Sequence, residues 1–365
     1  MFLVASVLYF CYNYTAMKKF FCLILSAVLM LSCCSCSNLG INKKERYQSG
    51  FLDLFDTYSS VIAYDTSEQA FNEHYEQFYN RLAEYDKLFD IYNSYDGIVN
   101  LYTLNHQAKD GPVQVDSRII DLLEYCKYVY ELSDGKTNVC FGSVLRIWHN
   151  SRQYGIDNPD KAALPDMQEL EAAAAHTDFD SLVIDKENST VYFSDPQLRL
   201  DVGAVAKGYA VREICNWAKD NLWTSAAVSI GGNICTFGYK EDDGKTLWNI
   251  AIEYPDTAVK DYLANVKITD LSVVTSGDYQ RYYTVDGKRY CHIINPETLM
   301  PSEYVASVSV ICGDSALGDA LSTTLFNMPI EQGMAMVEDM DGVEAVWVDK
   351  EYNEHYSTGF KNYVA

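Results

Sequence analysis

Between residues 181 and 348 the sequence runs in short apolar segments set apart by turn signals, and that spacing calls for short strands. Residues 181–185 and 190–194 predict a hairpin around Lys186-Glu187-Asn188. Strands follow at 226–230, 248–252 and 272–275. Residues 282–285 and 289–294 flank Asp286-Gly287, a dipeptide suited to the positive φ angles of a two-residue hairpin turn. The last part alternates strand 306–312, helices 315–326 and 330–339, and strand 344–348. Upstream, 51–64 reads as a strand and 67–89 as a long amphipathic helix, capped by Ser67 with Glu68 in its first turn. Residues 117–132 predict a second helix ending near Asp134-Gly135. Residues 150–165, polar and holding Pro159 and Pro165, read as a loop, and 166–175 as a short Ala-rich helix. The fold class expected is α+β, with a largely antiparallel sheet and packed helices.

Composition narrows the partners. The 365 residues suffice for a sizeable core, and 48% hydrophobic against 22% charged residues is a globular balance, not a disordered one. The formal net charge of −23 argues against nucleic acid, whose phosphates need a basic surface. It also means that any phosphate-bearing ligand requires local amides, a lysine or a metal. The 29 tyrosines imply either many half-buried positions or simple compositional bias.

The first 36 residues read as a signal segment. Met17-Lys18-Lys19, the better start, precedes an apolar run at 20–31 that is short for a membrane span. The run ends in Leu31-Ser32-Cys33-Cys34-Ser35-Cys36, which resembles a bacterial lipobox; Cys33 is the first choice for lipidation, with Cys34 and Cys36 as alternatives. An uncleaved signal anchor is the competing reading. Residues 37–50 then form a tether, 51–350 one domain, and 351–365 a C-terminal extension. The six later cysteines are scattered singly without a zinc motif.

Four segments concentrate the chemistry. Asp201-Val202-Gly203-Ala204-Val205-Ala206-Lys207-Gly208 gives an acid, a glycine and small residues opening a helix, so free amides and Lys207 can meet an anion. Ser229-Ile230-Gly231-Gly232-Asn233 is a tight turn or a close backbone approach. Val274-Thr275-Ser276-Gly277-Asp278-Tyr279 leads through the hairpin to His292-Ile293-Ile294-Asn295-Pro296, where His292 could act as general base or phosphate contact. Asp319 and Thr323 share a face of a predicted helix and offer oxygen ligands suited to Mg²⁺ or Ca²⁺. Each segment also has a plain structural reading, as a packed turn, a core histidine or a solvated pair.

In this order, the D-x-G-x-x-x-K-G, G-G-N, T-S-G-x-Y, H-I-x-N-P and D-A-x-x-T-type elements resemble the ApbE family of FAD:protein FMN transferases, over roughly residues 51–350. The resemblance implies a single flavin-binding, T-fold-related domain that takes FAD as substrate and uses Mg²⁺. By similarity the metal ligands are the carbonyl of Ala204 and the side chains of Asp319 and Thr323, with Ser322 adjacent. FAD contacts map to Phe55, Tyr92, Lys136, Thr137, Asn138, Asp201, Lys207 and Ile293; His292, from the reading of the residues themselves, is the candidate for assisting deprotonation of the acceptor hydroxyl. Three positions depart from the family pattern: Lys136-Thr137-Asn138, Asn295 in place of an acid, and Leu299 where a glycine is usual.

The implied reaction moves FMN from FAD to a Ser or Thr hydroxyl of a partner protein, with AMP released. The partner would be a subunit of a membrane redox complex, met by an exported enzyme held to a bacterial membrane through its N-terminal lipid. Two rival readings remain open from sequence: a Mg²⁺-dependent FAD pyrophosphatase, and a non-catalytic flavin-binding lipoprotein.

Overall fold

Seven pairings, all antiparallel, build an eight-stranded sheet in the order β1 (Glu45–Phe51), β2 (Ser59–Asp65), β6 (Ala226–Ile230), β7 (Asn233–Phe237), β10 (Ser272–Gly277), β13 (Val305–Cys312), β14 (Glu344–Asp349) and β15 (Glu354–Tyr356). This computed structural model describes residues 43–241 and 243–365. The expected signal segment 1–36 and tether residues 37–42 lie outside them. Among the described residues no helix is long and apolar enough to cross a membrane.

Strand alternation divides the core in two. Val61 and Ala63 of β2 and Val228 and Ile230 of β6 face helices α1 (Glu68–Phe89) and α6 (Ala206–Asn221). On the other face Ala227, Val273, Ile311, Val346 and Val348 pack on a hairpin of β8 (Trp248–Glu253) and β9 (Tyr262–Ile268). β13 is buried along its whole length because both faces are covered, with α7 (Ser315–Phe326) and α8 (Ile330–Glu338) completing the helical layer. Smaller elements complete the chain. They are α2 (Leu101–Gln107), α3 (Ser117–Leu132), α4 (Gly142–Asp157), α5 (Met167–Ala174), the three-stranded sheet of β3 (Val113–Gln114), β5 (Thr190–Phe193) and β4 (Leu182–Asp185), and the hairpin β11 (Tyr282–Val285)–β12 (Lys288–Cys291).

Several boundaries differ from the sequence expectation for visible reasons. The expected strand 51–64 is two strands, because residues 52–58 turn back with Phe55 and Asp56 at positive φ, and β1 recruits residues assigned to the tether. The expected loop 150–165 is helical to Asp157. Gly155 is a poor helix former, but a Cβ there would lie 2.7 Å from the Tyr283 ring, so tertiary packing decides. The C-terminal extension is part of the fold: Phe360 is fully buried in the second core, and the Ala365 N–H donates to the Asn265 carbonyl at 2.8 Å. The Asp286-Gly287 turn has φ of 49° and 80°, as its sequence requires.

Leu299 has φ 59°, a backbone for which glycine is the natural residue, while its side chain is buried beside Trp148. Gly ordinarily destabilises more than Ala. Here Leu299→Gly should cost about 1 kcal/mol less than Leu299→Ala, since both lose the same packing and only Ala retains the strain. Denaturant midpoints of the two variants measure this, and an Ala variant as stable as the Gly variant would exclude strain at this position.

Candidate functional site

No strand leads into the acid of the first motif: Asp201 follows an isolated bridge between Arg199 and Phe141 and precedes a turn. The Asp201 N–H donates to the Val139 carbonyl at 2.8 Å, tying this segment to loop 136–141. Its carboxylate accepts the Gly203 N–H at 3.0 Å. Burial pushes the Asp201 carboxyl above the usual range, against the opposing pull of that N–H and of His149 and Arg152. Residues 202–205 form a turn, and α6 begins at Ala206, later than the sequence suggested.

The next two residues meet α7. Asp319, 5% exposed, accepts Lys207 Nζ on one oxygen at 2.8 Å and the Gly208 N–H on the other at 2.6 Å. Gly208 permits this: a Cβ there would stand 2.3 Å from Asp319 Cβ and 2.5 Å from the Ser315 carbonyl oxygen. Its smallness therefore serves the contact between α6 and α7, whereas the sequence suggested room for a phosphate. Ser322 donates to the Asp319 carbonyl at 2.9 Å, so the 2.8 Å contact with Ser276 carries the Ser276 proton. Thr324 likewise bonds the Ala320 carbonyl. No hydrogen bond to another described residue engages the half-buried Thr323 hydroxyl, one turn from Asp319 on the same face. Among the described residues no group of three or more His, Cys, Asp or Glu side chains is placed to hold a metal ion. Asp319 and Thr323 offer oxygen ligands of the kind a hard cation takes, although both Asp319 carboxylate oxygens here accept from nitrogen, Lys207 Nζ and the Gly208 N–H.

His292 follows β12. Its Nδ1 lies 3.2 Å from the Arg281 carbonyl, and a carbonyl only accepts, so Nδ1 carries the proton and Nε2 keeps its lone pair. Burial, with the charges of Arg152 and Arg281, lowers its pKa to about 4. Arg152 and His149 project from α4, with Arg152 Nη2 3.3 Å from His149 Nδ1. The His149 ring lies 5.2 Å from that of Tyr92 at 31°. Tyr92, 54% exposed, is held in its loop by a bond from its N–H to Asp90. Phe55 lies on the 52–58 loop with its N–H on Asp86 at 2.8 Å, and Arg281 reaches the Asp56 carbonyl at 3.5 Å.

The remaining sequence candidates are anchored to protein. Thr137 is buried and bonds Thr324 at 2.8 Å, pinning its loop to α7. Asn138 bonds the Thr177 carbonyl and the Cys140 N–H. Lys136 pairs with Glu297. The Ile293 side chain is buried in the α7–β13 core. Asn295 accepts the Glu297 N–H at 2.8 Å, a turn role that needs an acceptor oxygen and no charge. His149, Arg152 and Arg281 were not singled out from sequence; polar residues in an expected loop or after a strand carry no local signal.

Lys207 therefore pairs with Asp319 and, with Arg152 and Arg281, acts on His292, while Arg152 also acts on Asp201. The model of the ApbE family matches residues 55–347. An FAD:protein FMN transferase of Treponema pallidum (strain Nichols) is 33% identical over 71% of this chain and 73% of its own length. One of Klebsiella pneumoniae (strain 342) is 28% identical over 74% of this chain and 80% of its own. The crystal structure of the ApbE protein of Thermotoga maritima superimposes with a TM-score of 0.74 at 27% identity, covering 88% of this chain and 100% of that one. The chain belongs to the ApbE family.

Proposed function

We propose that this protein is an FAD:protein FMN transferase, which moves FMN from FAD to a Ser or Thr hydroxyl of an acceptor protein and releases AMP. The observation that carries this is the joint between α6 and α7, where Asp319, Lys207 and the Gly208 N–H meet. In so acidic a chain this joint concentrates the cationic and oxygen-ligating groups that a pyrophosphate requires. By the family resemblance Asp319, Thr323 and the Ala204 carbonyl would hold Mg²⁺, with the cation taking the place of Lys207 Nζ on Asp319. When bound, Mg²⁺ would neutralise pyrophosphate charge.

The acceptor oxygen forms a bond to the FMN-side phosphorus as the bond to the AMP oxygen breaks. The hydroxyl proton passes to His292 Nε2. His292 is a poor base beside two arginines, and an anionic substrate between them offsets that repulsion. Substrate binding thereby improves the base that the reaction needs. His292→Gln should lower the transfer rate about 10²-fold or more with a small change in KM for FAD.

The same variant tests linkage. His292 takes its proton more readily unfolded, at 6.5, than folded, at about 4. The unfolded chain therefore binds more protons in that window, and stability falls as pH drops from 6.5 through 4. The variant should show a flatter stability profile between those values, read as thermal midpoints against pH.

Incubating residues 37–365 with FAD, Mg²⁺ and an acceptor carrying a D-G-A-[ST]-like segment tests the reading. Flavin fluorescence on the acceptor in a denaturing gel, with equimolar AMP, is the result expected. AMP without labelled protein would make the enzyme a pyrophosphatase, and FAD binding without either product a flavin binder. We infer further that the signal-like segment at 1–36 exports the chain and anchors it by a lipid on Cys33, Cys34 or Cys36. Its acceptor would then be a subunit of a membrane redox complex.

A further inference from the structure

Lys207 and Lys136, the lysines of this region, each pair with a carboxylate, Asp319 and Glu297. Arg152 and Arg281 do not: among the described residues neither stands in an ion pair, although the chain holds 51 acidic residues against 28 basic ones. Arg152 is half-buried, and burial together with the charge of the exposed Arg281 lowers its pKa, against the opposing pull of Tyr92 and Asp201. A second cation beside a partly desolvated guanidinium is unfavourable unless anions offset the pair.

Their donors are also largely unspent. A guanidinium presents five N–H groups and accepts nothing. Arg152 uses one on His149 Nδ1 at 3.3 Å, and Arg281 one on the Asp56 carbonyl at 3.5 Å. The two come from separate elements, α4 and the segment between β10 and β11, and both act on His292. Planar forks of this kind match phosphoryl oxygens bidentately.

We propose that Arg152 and Arg281 together bind the pyrophosphate of FAD. This rests on the transferase reading and assigns two residues to it. FAD affinity of the full-length protein, measured by flavin fluorescence at several salt concentrations, tests it with Arg152→Gln, Arg281→Gln and Arg152→Lys. Arg289→Gln, at an exposed position of β12, is the control.

Wild type and the control should bind alike, with affinity falling as salt rises. Each Gln variant should bind FAD at least tenfold more weakly at low salt and show a flatter salt dependence; Arg152→Lys, which keeps charge without the fork, should fall between. Unchanged FAD affinity in both Gln variants, or weakening with the wild-type salt dependence, would overturn the assignment. So would normal FAD binding with a raised KM for the acceptor, which would give the pair to the acceptor instead. Failure of the wild type to bind FAD would count against the transferase reading itself.

Discussion

An Asp319→Ala variant should lose transfer activity by about 10²–10³-fold and also melt earlier than wild type. Both losses have one origin. The carboxylate accepts Lys207 Nζ and the Gly208 N–H, so truncation leaves an ammonium and a buried amide without their acceptor. Breaking a buried charge pair typically costs about 3–5 kcal/mol. Lys207 is 24% exposed at its side chain and can turn toward water, which places the loss at the lower end. Asp319→Asn separates the two effects. Its amide oxygen can still accept the Gly208 N–H, so most of the stability should return while the charge for a cation does not. Thermal midpoints and initial rates of both variants, over a Mg²⁺ titration, are the measurements. An Asn variant with wild-type rates at low Mg²⁺ would remove Asp319 from any metal role.

The parts of this fold legible in the sequence are those whose cause is local. Ser67 accepts the Ala70 N–H at 3.1 Å as a helix cap, and Asp286-Gly287 turns a hairpin. Helices α3 and α7 begin and end at the residues that periodicity suggested, because nothing tertiary contradicts it. β7 and β9 were not anticipated. β7 follows directly on Gly231-Gly232, which masks its start, and a register shift at Ile252/Glu253 leaves β9 pairing against an irregular partner. Helix α4 continues through Asn150-Ser151 because it is packed against β11, a fact no window of sequence contains.

The site divides along the same line. Lys207 and Asp319 both stand in motifs that the sequence singled out, and the fold brings them into contact. Arg152 and Arg281 were not singled out, since an arginine in an expected loop or just before a strand reads as a solvated charge; only the fold places both where they act on His292. Thr137 and Asn138 illustrate the converse. Both stand in a motif position, yet the hydroxyl and the amide hold their loop to α7 and to the Thr177 carbonyl.

Gly208→Ala makes the sharpest test of how the site is assembled, because it adds one methyl group and no charge. An ideal Cβ would stand 2.3 Å from Asp319 Cβ, 2.5 Å from the Ser315 oxygen and 2.9 Å from Asn233 Nδ2. Two of these are on α7, and the third is a fully buried side chain on β7 that already accepts the Ser315 hydroxyl. None is the far end of a flexible side chain, so α6 must move away from α7. Overpacking of this kind costs about 1–3 kcal/mol, and the upper end applies where backbone has to shift. The same shift lengthens the Gly208 N–H bond to Asp319 and displaces Lys207, and misplacing a catalytic group by about 1 Å can lower a rate roughly 10²-fold. Gly203→Ala is the matched control in the same motif. Its nearest neighbour would be Asp201 Oδ1 at 3.1 Å, with no second contact, so it should fold normally and lose far less activity. Were the glycines there to let a phosphate approach, Gly203→Ala would be the more damaging of the two for FAD affinity. The geometry of the α6–α7 joint requires the reverse order, in melting temperature and in rate alike.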